Sequence, residues 1–138
     1  AGDAIDHRVG LDAIAAIDAR GFIVGAPVAY ELGCSFVPVR KKGKLPFKTI
    51  SQTYTLEYGQ AEVELHSDAF RDGDRILVVD DLIATGGTML AAAELISRSG
   101  GHVVETSAIV DLPDLGGSQR IRDAGHSVFA VCSFTEDE

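Results

Sequence analysis

Cysteine and tryptophan are scarce in this chain of 138 residues, which has two cysteines, Cys34 and Cys132, and no tryptophan. Two cysteines at this separation offer neither a disulfide framework nor the spacing of a metal site, so we expect both thiols to be packed in the interior. Long apolar runs are also missing: no stretch approaches the ~18 residues of a transmembrane helix, and no signal-peptide pattern stands at the start. The sequence therefore predicts a cytoplasmic protein that does not enter a membrane.

Basic residues are outnumbered by acidic ones. The chain has 12 lysines and arginines against 21 aspartates and glutamates, which gives a formal net charge of −9 and a pI near 4.8. Such a protein gains no counterion release from a polyphosphate, which argues against nucleic acid as a partner. Binding of a phosphorylated small molecule must then depend on local features. Five basic residues within nine positions could attract an anion or could be a solvated loop: Arg40, Lys41, Lys42, Lys44 and Lys48.

The most informative stretch covers residues 75–88 and reads RILVVDDLIATGGT. Its apolar run at 76–79 is typical of a buried parallel strand, and two carboxylates, Asp80 and Asp81, end that run. A helix predicted over residues 89–98 would point its N-terminus into the turn between them, which favours a phosphate there. The turn itself consists of small or hydroxylated residues whose N–H groups can approach an anion: Ala84, Thr85, Gly86, Gly87 and Thr88.

Two carboxylates beside a phosphate site need a separate explanation, because they would repel the anion if both faced it. Vicinal ribose hydroxyls donate hydrogen bonds and would suit Asp80 and Asp81, and a sugar carrying a 5-phosphate would join both parts of the motif. An isolated pair of aspartates at a strand end is more often solvated, but the whole string favours a ligand site. The string lacks the lysine of a GxxxxGK[ST] loop and the spacing of GxGxxG, which excludes those two nucleotide-binding motifs.

The remaining pattern predicts an α/β fold in a single domain over residues 1–138. Alternating polar residues over about 41–66 predict a β-hairpin that is exposed and not continuous with the core. The order of elements predicts a five-stranded, mostly parallel sheet flanked by helices, with the ligand over the carboxyl ends of the strands. Strands are expected at residues 11–17, 35–40, 76–79, 102–110 and 127–134, and helices at 22–32, 89–98 and 115–124.

The stretch 75–88 resembles the phosphoribosyl pyrophosphate (PRPP) binding motif of the type I phosphoribosyltransferases, and within that family the match is closest to adenine phosphoribosyltransferases. Three further segments support the resemblance: RGFIVGAPVAYELG at 20–33, RKKGKLP at 40–46 and LEYG at 56–59. The resemblance implies a type I phosphoribosyltransferase core and transfer of a phosphoribosyl group from PRPP to adenine. AMP and pyrophosphate would form through an oxocarbenium-like transition state, as a step of purine salvage. Mg²⁺ held mainly by PRPP and water, and a homodimer, are implied as well.

The same resemblance implies roles for individual residues. The hairpin would be a flexible lid over the substrates, in which Glu57 handles the proton of the adenine ring and Tyr58 lies beside it. Leu82 and Ile83 would form one wall of the base site. Asp80, Asp81 and the turn at 84–88 would bind the ribose phosphate. The pyrophosphate would be bound by two loops, whose Arg20 and Lys44 also act in catalysis: Ala19, Arg20 and Gly21, and Arg40, Lys41 and Lys44.

Adenine phosphoribosyltransferases usually carry an N-terminal segment that forms a hood over the base. We expect this chain to begin after most of that segment, which predicts weak affinity for the base. Two other functions remain open. A relative that uses hypoxanthine, guanine, xanthine or orotate would share the phosphate loop but not GKLP and LEYG. A non-catalytic module that binds PRPP or a nucleotide would keep the phosphate loop and tolerate loss of Glu57.

Overall fold

A computed structural model describes residues 10–56 and 59–136 of the chain. Glu57 and Tyr58 lie outside these residues, so the roles assigned to them stay predictions. In the described part, no helix is both long and apolar enough to cross a lipid bilayer.

Seven strands and three α-helices make up the described chain, with one 3₁₀ turn at Pro113–Leu115. The strands are β1 (Ala13–Ile17), β2 (Ser35–Lys41), β3 (Thr49–Leu56), β4 (Gly59–His66), β5 (Arg75–Ile83), β6 (His102–Asp111) and β7 (Val128–Ser133). The helices are α1 (Arg20–Leu32), α2 (Gly87–Arg98) and α3 (Gly117–Asp123).

All seven strands form one sheet in the order β3-β4-β2-β1-β5-β6-β7. The five strands from β2 to β7 through β1, β5 and β6 pair in parallel, as the sequence predicted. Alternate residues of β1 belong to two different apolar clusters: Ala13 packs with residues of α2 and α3, and Ile14 packs with residues of α1. Because successive side chains of a strand point to opposite faces, the helices cover both faces of the sheet.

The prediction of an exposed hairpin separate from the core is wrong. β4 pairs with β2 in antiparallel fashion at Arg40 and Lys41, which joins the hairpin to the parallel strands. Val63 and Leu65 of β4 are 1% and 0% exposed and belong to the main core. Alternation predicts a half-buried strand equally well, and one face of this hairpin finds α2 to pack against. Arg98 fastens that contact, since its Nη1 donates to the backbone oxygen of Ser51 at 2.8 Å.

Three smaller expectations also differ from the structure. Asp80 and Asp81 do not follow the central strand but lie within β5, because β6 continues to pair with β5 as far as Ile83. α2 begins two residues earlier than expected, at Gly87, with Gly86 in a left-handed conformation at its N-cap. The thiol of Cys132 is exposed, since β7 is the edge strand of the sheet, whereas Cys34 is partly buried.

Candidate active site

A cavity of about 410 Å³ opens at the carboxyl ends of β1 and β5. β1 and β5 are parallel neighbours, so the loop after Ile17 comes to lie beside Asp80. β1 pairs with β5 only as far as Val79, and this leaves space for the side chains that follow. The lining of the cavity includes seven residues expected from the sequence: Ala19, Arg20, Lys41, Asp80, Asp81, Leu82 and Thr88.

The two adjacent carboxylates have different electrostatic environments. Asp81 forms an ion pair with Arg20, whose Nε lies 2.9 Å from Oδ2. Burial raises the pKa of Asp80 to about 7, and a side-chain hydrogen bond with Asp81 and its charge act in the same direction. The Arg20 guanidinium opposes this shift in the pKa without cancelling it. Near neutral pH, the pair can therefore offer both a carboxylate and a protonated carboxyl group to a ligand.

Arg40 is engaged inside the protein rather than directed into the cavity. Its Nε donates to Oδ2 of Asp18 at 3.2 Å, and its guanidinium lies 5.8 Å from the centroid of the Phe22 ring. The Asp18 side chain is only 10% exposed, so this ion pair is better shielded from solvent than the one between Arg20 and Asp81. In this arrangement, Arg40 fixes the loop between β1 and α1.

The predicted phosphate loop lines a second, smaller cavity of about 110 Å³. Residues 84–88 join β5 to α2, and Gly86 adopts a φ of +86°, a left-handed conformation that favours glycine. No acidic residue occupies the first turn of α2. Among the described residues, no acceptor takes the N–H hydrogens of Thr85 or Gly86. Free N–H groups at a helix N-terminus are the chemistry that binds a phosphate.

A buried glutamate anchors the basic loop that follows β2. Glu64 of β4 is 4% exposed, and its Oε1 accepts a hydrogen bond of 3.0 Å from the backbone N–H of Leu45. Burial by itself would raise the pKa of Glu64, but hydrogen bonds from the backbone of Leu45, Gly43 and Lys44 and from the Thr49 hydroxyl outweigh it and lower the pKa. The loop that carries Lys41 and Lys44 is thus tied to the sheet through one carboxylate.

The structure brings most of the sequence-predicted residues together, with differences in detail. Leu82 lines both cavities, whereas Ile83 is 2% exposed and packs mainly in the core. Gly21 is buried against β5, where an added Cβ would lie 3.1 Å from the Val79 oxygen. Lys44 is exposed and does not line the larger cavity.

Sequence reasoning did not single out Asp18, Tyr54 and Glu64. The position of Asp18 directly after β1 was an available signal, because Asp80 was noticed for the same reason. Tyr54 lines the cavity from the hairpin, and Glu64 lies beneath the basic loop. Both depend on how the hairpin docks, which no local pattern reveals.

The family described as "Phosphoribosyl transferase domain" matches residues 4–129, which defines the class of this protein. An adenine phosphoribosyltransferase of Chromohalobacter salexigens is 81% identical over 139 residues, covering 99% of this chain and 77% of that protein. The solved adenine phosphoribosyltransferase of Rhodothermus marinus has a TM-score of 0.86 at 44% identity. The alignment covers 90% of this chain and 70% of that chain.

The enzyme of Saccharomyces cerevisiae, solved in complex with D-2,5-dideoxy-2,5-imino-altritol 1,6-bisphosphate and adenine, has a TM-score of 0.83 at 37% identity. Its alignment covers 88% of this chain and 67% of that one. The chain therefore belongs to the adenine phosphoribosyltransferases, within the phosphoribosyltransferase family.

The first prediction concerns the raised pKa of Asp80. Because folding raises this pKa from 3.8 to about 7, ionisation of Asp80 lowers the free energy of unfolding progressively between pH 4 and 7. Asp80→Asn should therefore stabilise the protein by about 1–3 kcal/mol at pH 8, with a smaller gain at pH 4. Urea unfolding of both proteins at the two pH values measures this difference. An equal effect of Asp80→Asn at pH 4 and pH 8 would contradict the raised pKa.

The second prediction concerns the lowered pKa of Glu64. Its contribution to stability is present above the unfolded pKa of 4.5 and is lost as the pH falls through the lower, folded value. Glu64→Gln should therefore cost about 1–3 kcal/mol at pH 7 and less below pH 4. Glu62→Gln is the matched control on the same strand, because Glu62 is less buried than Glu64 and pairs with Lys42, whose side chain is 63% exposed. Equal losses for the two variants in thermal unfolding would contradict the anchoring role.

Proposed function

We propose that this protein transfers the 5-phosphoribosyl group of PRPP to N9 of adenine, giving AMP and pyrophosphate with inversion at the anomeric carbon. The observation that carries this proposal is the meeting of three kinds of group at one sheet edge. Free backbone N–H groups, two unlike carboxyl groups and an exposed arginine lie at the carboxyl ends of β1 and β5. Each group matches one part of PRPP: the 5-phosphate, the ribose hydroxyls and the pyrophosphate.

The phosphate loop would hold the 5-phosphate of the sugar. The N–H groups of Thr85 and Gly86 lack internal acceptors, and the first turn of α2 adds its own N–H groups and partial positive charge. Thr88 lines both cavities, so its hydroxyl can reach the phosphate or the neighbouring sugar. Asp80 and Asp81, which precede the loop on β5, would hold the ribose hydroxyls.

Arg20 would exchange its partner when PRPP binds. In the structure its guanidinium contacts Asp81, and its side chain is 74% exposed, so it can move. An ion pair this exposed contributes only about 0–1 kcal/mol, so a pyrophosphate with higher charge can displace the carboxylate. The exchange would free Asp81 for the ribose and place a cation on the leaving group. Lys41 lines the same cavity from the end of β2.

The transition state would need charge stabilisation more than a nucleophile. As the bond to pyrophosphate breaks, positive charge develops on the ribose and negative charge on the leaving group. Arg20 and Lys41, with Lys44 on the loop after β2, would stabilise the leaving group, and Arg40 would act indirectly by holding Asp18. Leu82, with Ile83 behind it, would form an apolar wall for the base, and Glu57 would manage the proton on the adenine ring.

The residues of the cavity fit an Mg²⁺ ion that is held by PRPP rather than by protein side chains. Asp80 and Asp81 are the adjacent carboxylates there, and in the proposed complex both bind ribose hydroxyls, so neither is left to ligate the ion. Mg²⁺ keeps several waters and commonly binds through substrate phosphates. We therefore assign the ion to PRPP oxygens and water rather than to a cage of side chains. When bound, it would neutralise charge on the pyrophosphate.

A homodimer in the cytoplasm is part of the proposal. α1 carries an apolar stripe on its outer side, where Ile23 and Tyr30 are 76% and 87% exposed and Ala26 and Pro27 are exposed between them. Residues at this spacing share one helix face. A contiguous exposed apolar face of this kind is typical of a protein interface.

The third prediction tests the reaction. The protein should form AMP from PRPP and adenine, and much less product from hypoxanthine, guanine, xanthine or orotate, because its close relatives are adenine phosphoribosyltransferases. Asp81→Asn should lower kcat/KM by about a hundredfold through loss of a ribose contact. Asp68→Asn, on the exposed turn after β4, is the matched control and should leave activity unchanged.

Chromatographic detection of the nucleotide product separates the alternatives. Product from a different base would replace adenine as the substrate. Binding of PRPP without product from any base would favour a non-catalytic module. Full activity of Asp81→Asn would remove the ribose role, and full turnover of Glu57→Gln would remove the proton role.

The fourth prediction tests the dimer. The protein should sediment as a dimer at micromolar concentration, and Tyr30→Arg should shift it towards the monomer by placing charge in the apolar stripe of α1. Glu31→Arg, on the neighbouring face of the same helix, adds a similar side chain and should leave the dimer intact. A wild-type protein that sediments as a monomer would end the dimer proposal.

A further inference from the structure

We propose that Arg120 and Gly117 are positioning residues. By binding carbonyl oxygens of the phosphate loop, they would keep its N–H groups directed towards the ligand. This inference rests on the phosphate role given to residues 84–88 in the proposed function. Neither residue lines the larger cavity or the loop cavity. Both lie in α3, which follows β6 and packs against the outer side of the loop.

Two carbonyl groups of the loop are bound by α3. The backbone N–H of Gly117 donates to the oxygen of Ala84 at 3.1 Å. Nη1 of Arg120 donates to the oxygen of Thr85 at 2.6 Å. The loop therefore has its acceptors on one side, and both are engaged by the same short helix.

The orientation of these carbonyls determines the orientation of the N–H groups. The peptide bonds after Ala84 and Thr85 are trans, as is the rule for bonds that do not precede proline. In a trans peptide the C=O and the following N–H point in opposite directions. A hydrogen bond that holds the Thr85 oxygen towards α3 thus holds the Gly86 N–H away from it. The Gly117 bond acts in the same way on the Thr85 N–H.

Close packing fixes the distance between α3 and the backbone of the loop. A Cβ on Gly117 would clash with the Ala84 oxygen and would lie 2.7 Å from the Gly86 nitrogen. A Cβ on Gly86 would lie 2.8 Å from the Gly117 oxygen. The two backbones are in direct contact, so α3 has no room to shift unless the loop shifts as well.

Arg120 is the member of this pair that can be altered without disturbing the core. Its side chain is exposed and reaches the loop by a single charge-assisted hydrogen bond. Without that bond the Thr85 peptide can rotate, and its carbonyl would then face the phosphate. A carbonyl oxygen repels an anion where an N–H would bind it, so the loss should fall on ligands that carry the 5-phosphate.

The experiment compares binding of AMP and adenosine, which differ only in the phosphate, by isothermal titration calorimetry. Arg120→Ala should weaken AMP binding about tenfold and leave adenosine binding unchanged. Arg120→Lys keeps one donor and should recover part of the loss. Arg122→Ala is the matched control, because Arg122 is exposed on the same helix and its side chain has no partner among the described residues. It should bind AMP as the wild type does.

Steady-state kinetics provide a second measurement. Arg120→Ala should raise the KM for PRPP while the KM for adenine stays near that of the wild type. Thermal unfolding should give the same midpoint for Arg120→Ala and Arg122→Ala, because one exposed bond contributes little to stability.

The possible outcomes separate this inference from the proposed function. If wild-type protein binds AMP no better than adenosine, the loop is not a phosphate site, and both proposals fail together. If wild-type protein prefers AMP and Arg120→Ala keeps that preference, only the positioning role fails. Equal losses for AMP and adenosine in Arg120→Ala would also overturn it, because they would indicate a general structural effect.

Discussion

The site depends on the parallel pairing of β1 with β5. This pairing aligns Ala16 with Val79, so the loop that carries Arg20 and the strand that carries Asp80 reach the same edge of the sheet. Small residues allow α1 to pack closely on these strands. A Cβ on Gly25 would lie 2.6 Å from the Cβ of Ala16 and 2.9 Å from Cγ2 of Val79. The close approach of α1 sets the height at which Arg20, in its first turn, meets Asp81.

The charged groups at this edge form two opposite pairs that differ in exposure. Arg20 and Asp81 form a pair in contact with solvent, whereas Arg40 and Asp18 form a pair shielded by Phe22. A shielded ion pair does not readily exchange its partner, because breaking it leaves an unpaired charge in a poorly solvated place. The exposed pair can exchange one anion for another at small cost. The same two residue types thus supply a fixed support at one position and a replaceable contact at the other.

The sequence was sufficient for the parts of the fold that local patterns determine. The apolar run at 76–79 lies in β5, and the helix after the glycine-rich turn begins within two residues of its predicted start, because strand, turn and helix are each dictated by nearby residues. The docking of the hairpin was not predictable in this way. Alternation in β4 shows that one face is buried but does not show against what, and α2 is distant in sequence.

The same limit applies to individual side chains. Arg40 belongs to a cluster of five basic residues, and no pattern distinguishes the one that pairs with Asp18 from those that stay in solvent. Lys44 remains in solvent. Glu64 accepts a hydrogen bond from the backbone of Leu45 in the same loop, but it belongs to no recognisable sequence motif. Partners separated by more than about 20 residues are decided by tertiary packing. Sequence analysis therefore predicts the composition of such a site better than its internal contacts.

The proposed phosphate site lies in an acidic protein, so it needs positive potential without many added cations nearby. The loop at 84–88 contains no basic residue, and the whole chain has a formal charge of −9. Backbone N–H groups solve this problem, because they attract an anion at short range and contribute nothing to net charge. Each N–H is accompanied by a carbonyl of opposite sign, so the attraction survives only if the carbonyls face elsewhere. Glycine allows the backbone to turn in this way, and hydrogen-bond donors outside the loop keep it turned. In the proposed function, the capacity of the loop to bind phosphate therefore depends on its surroundings as much as on its own residues.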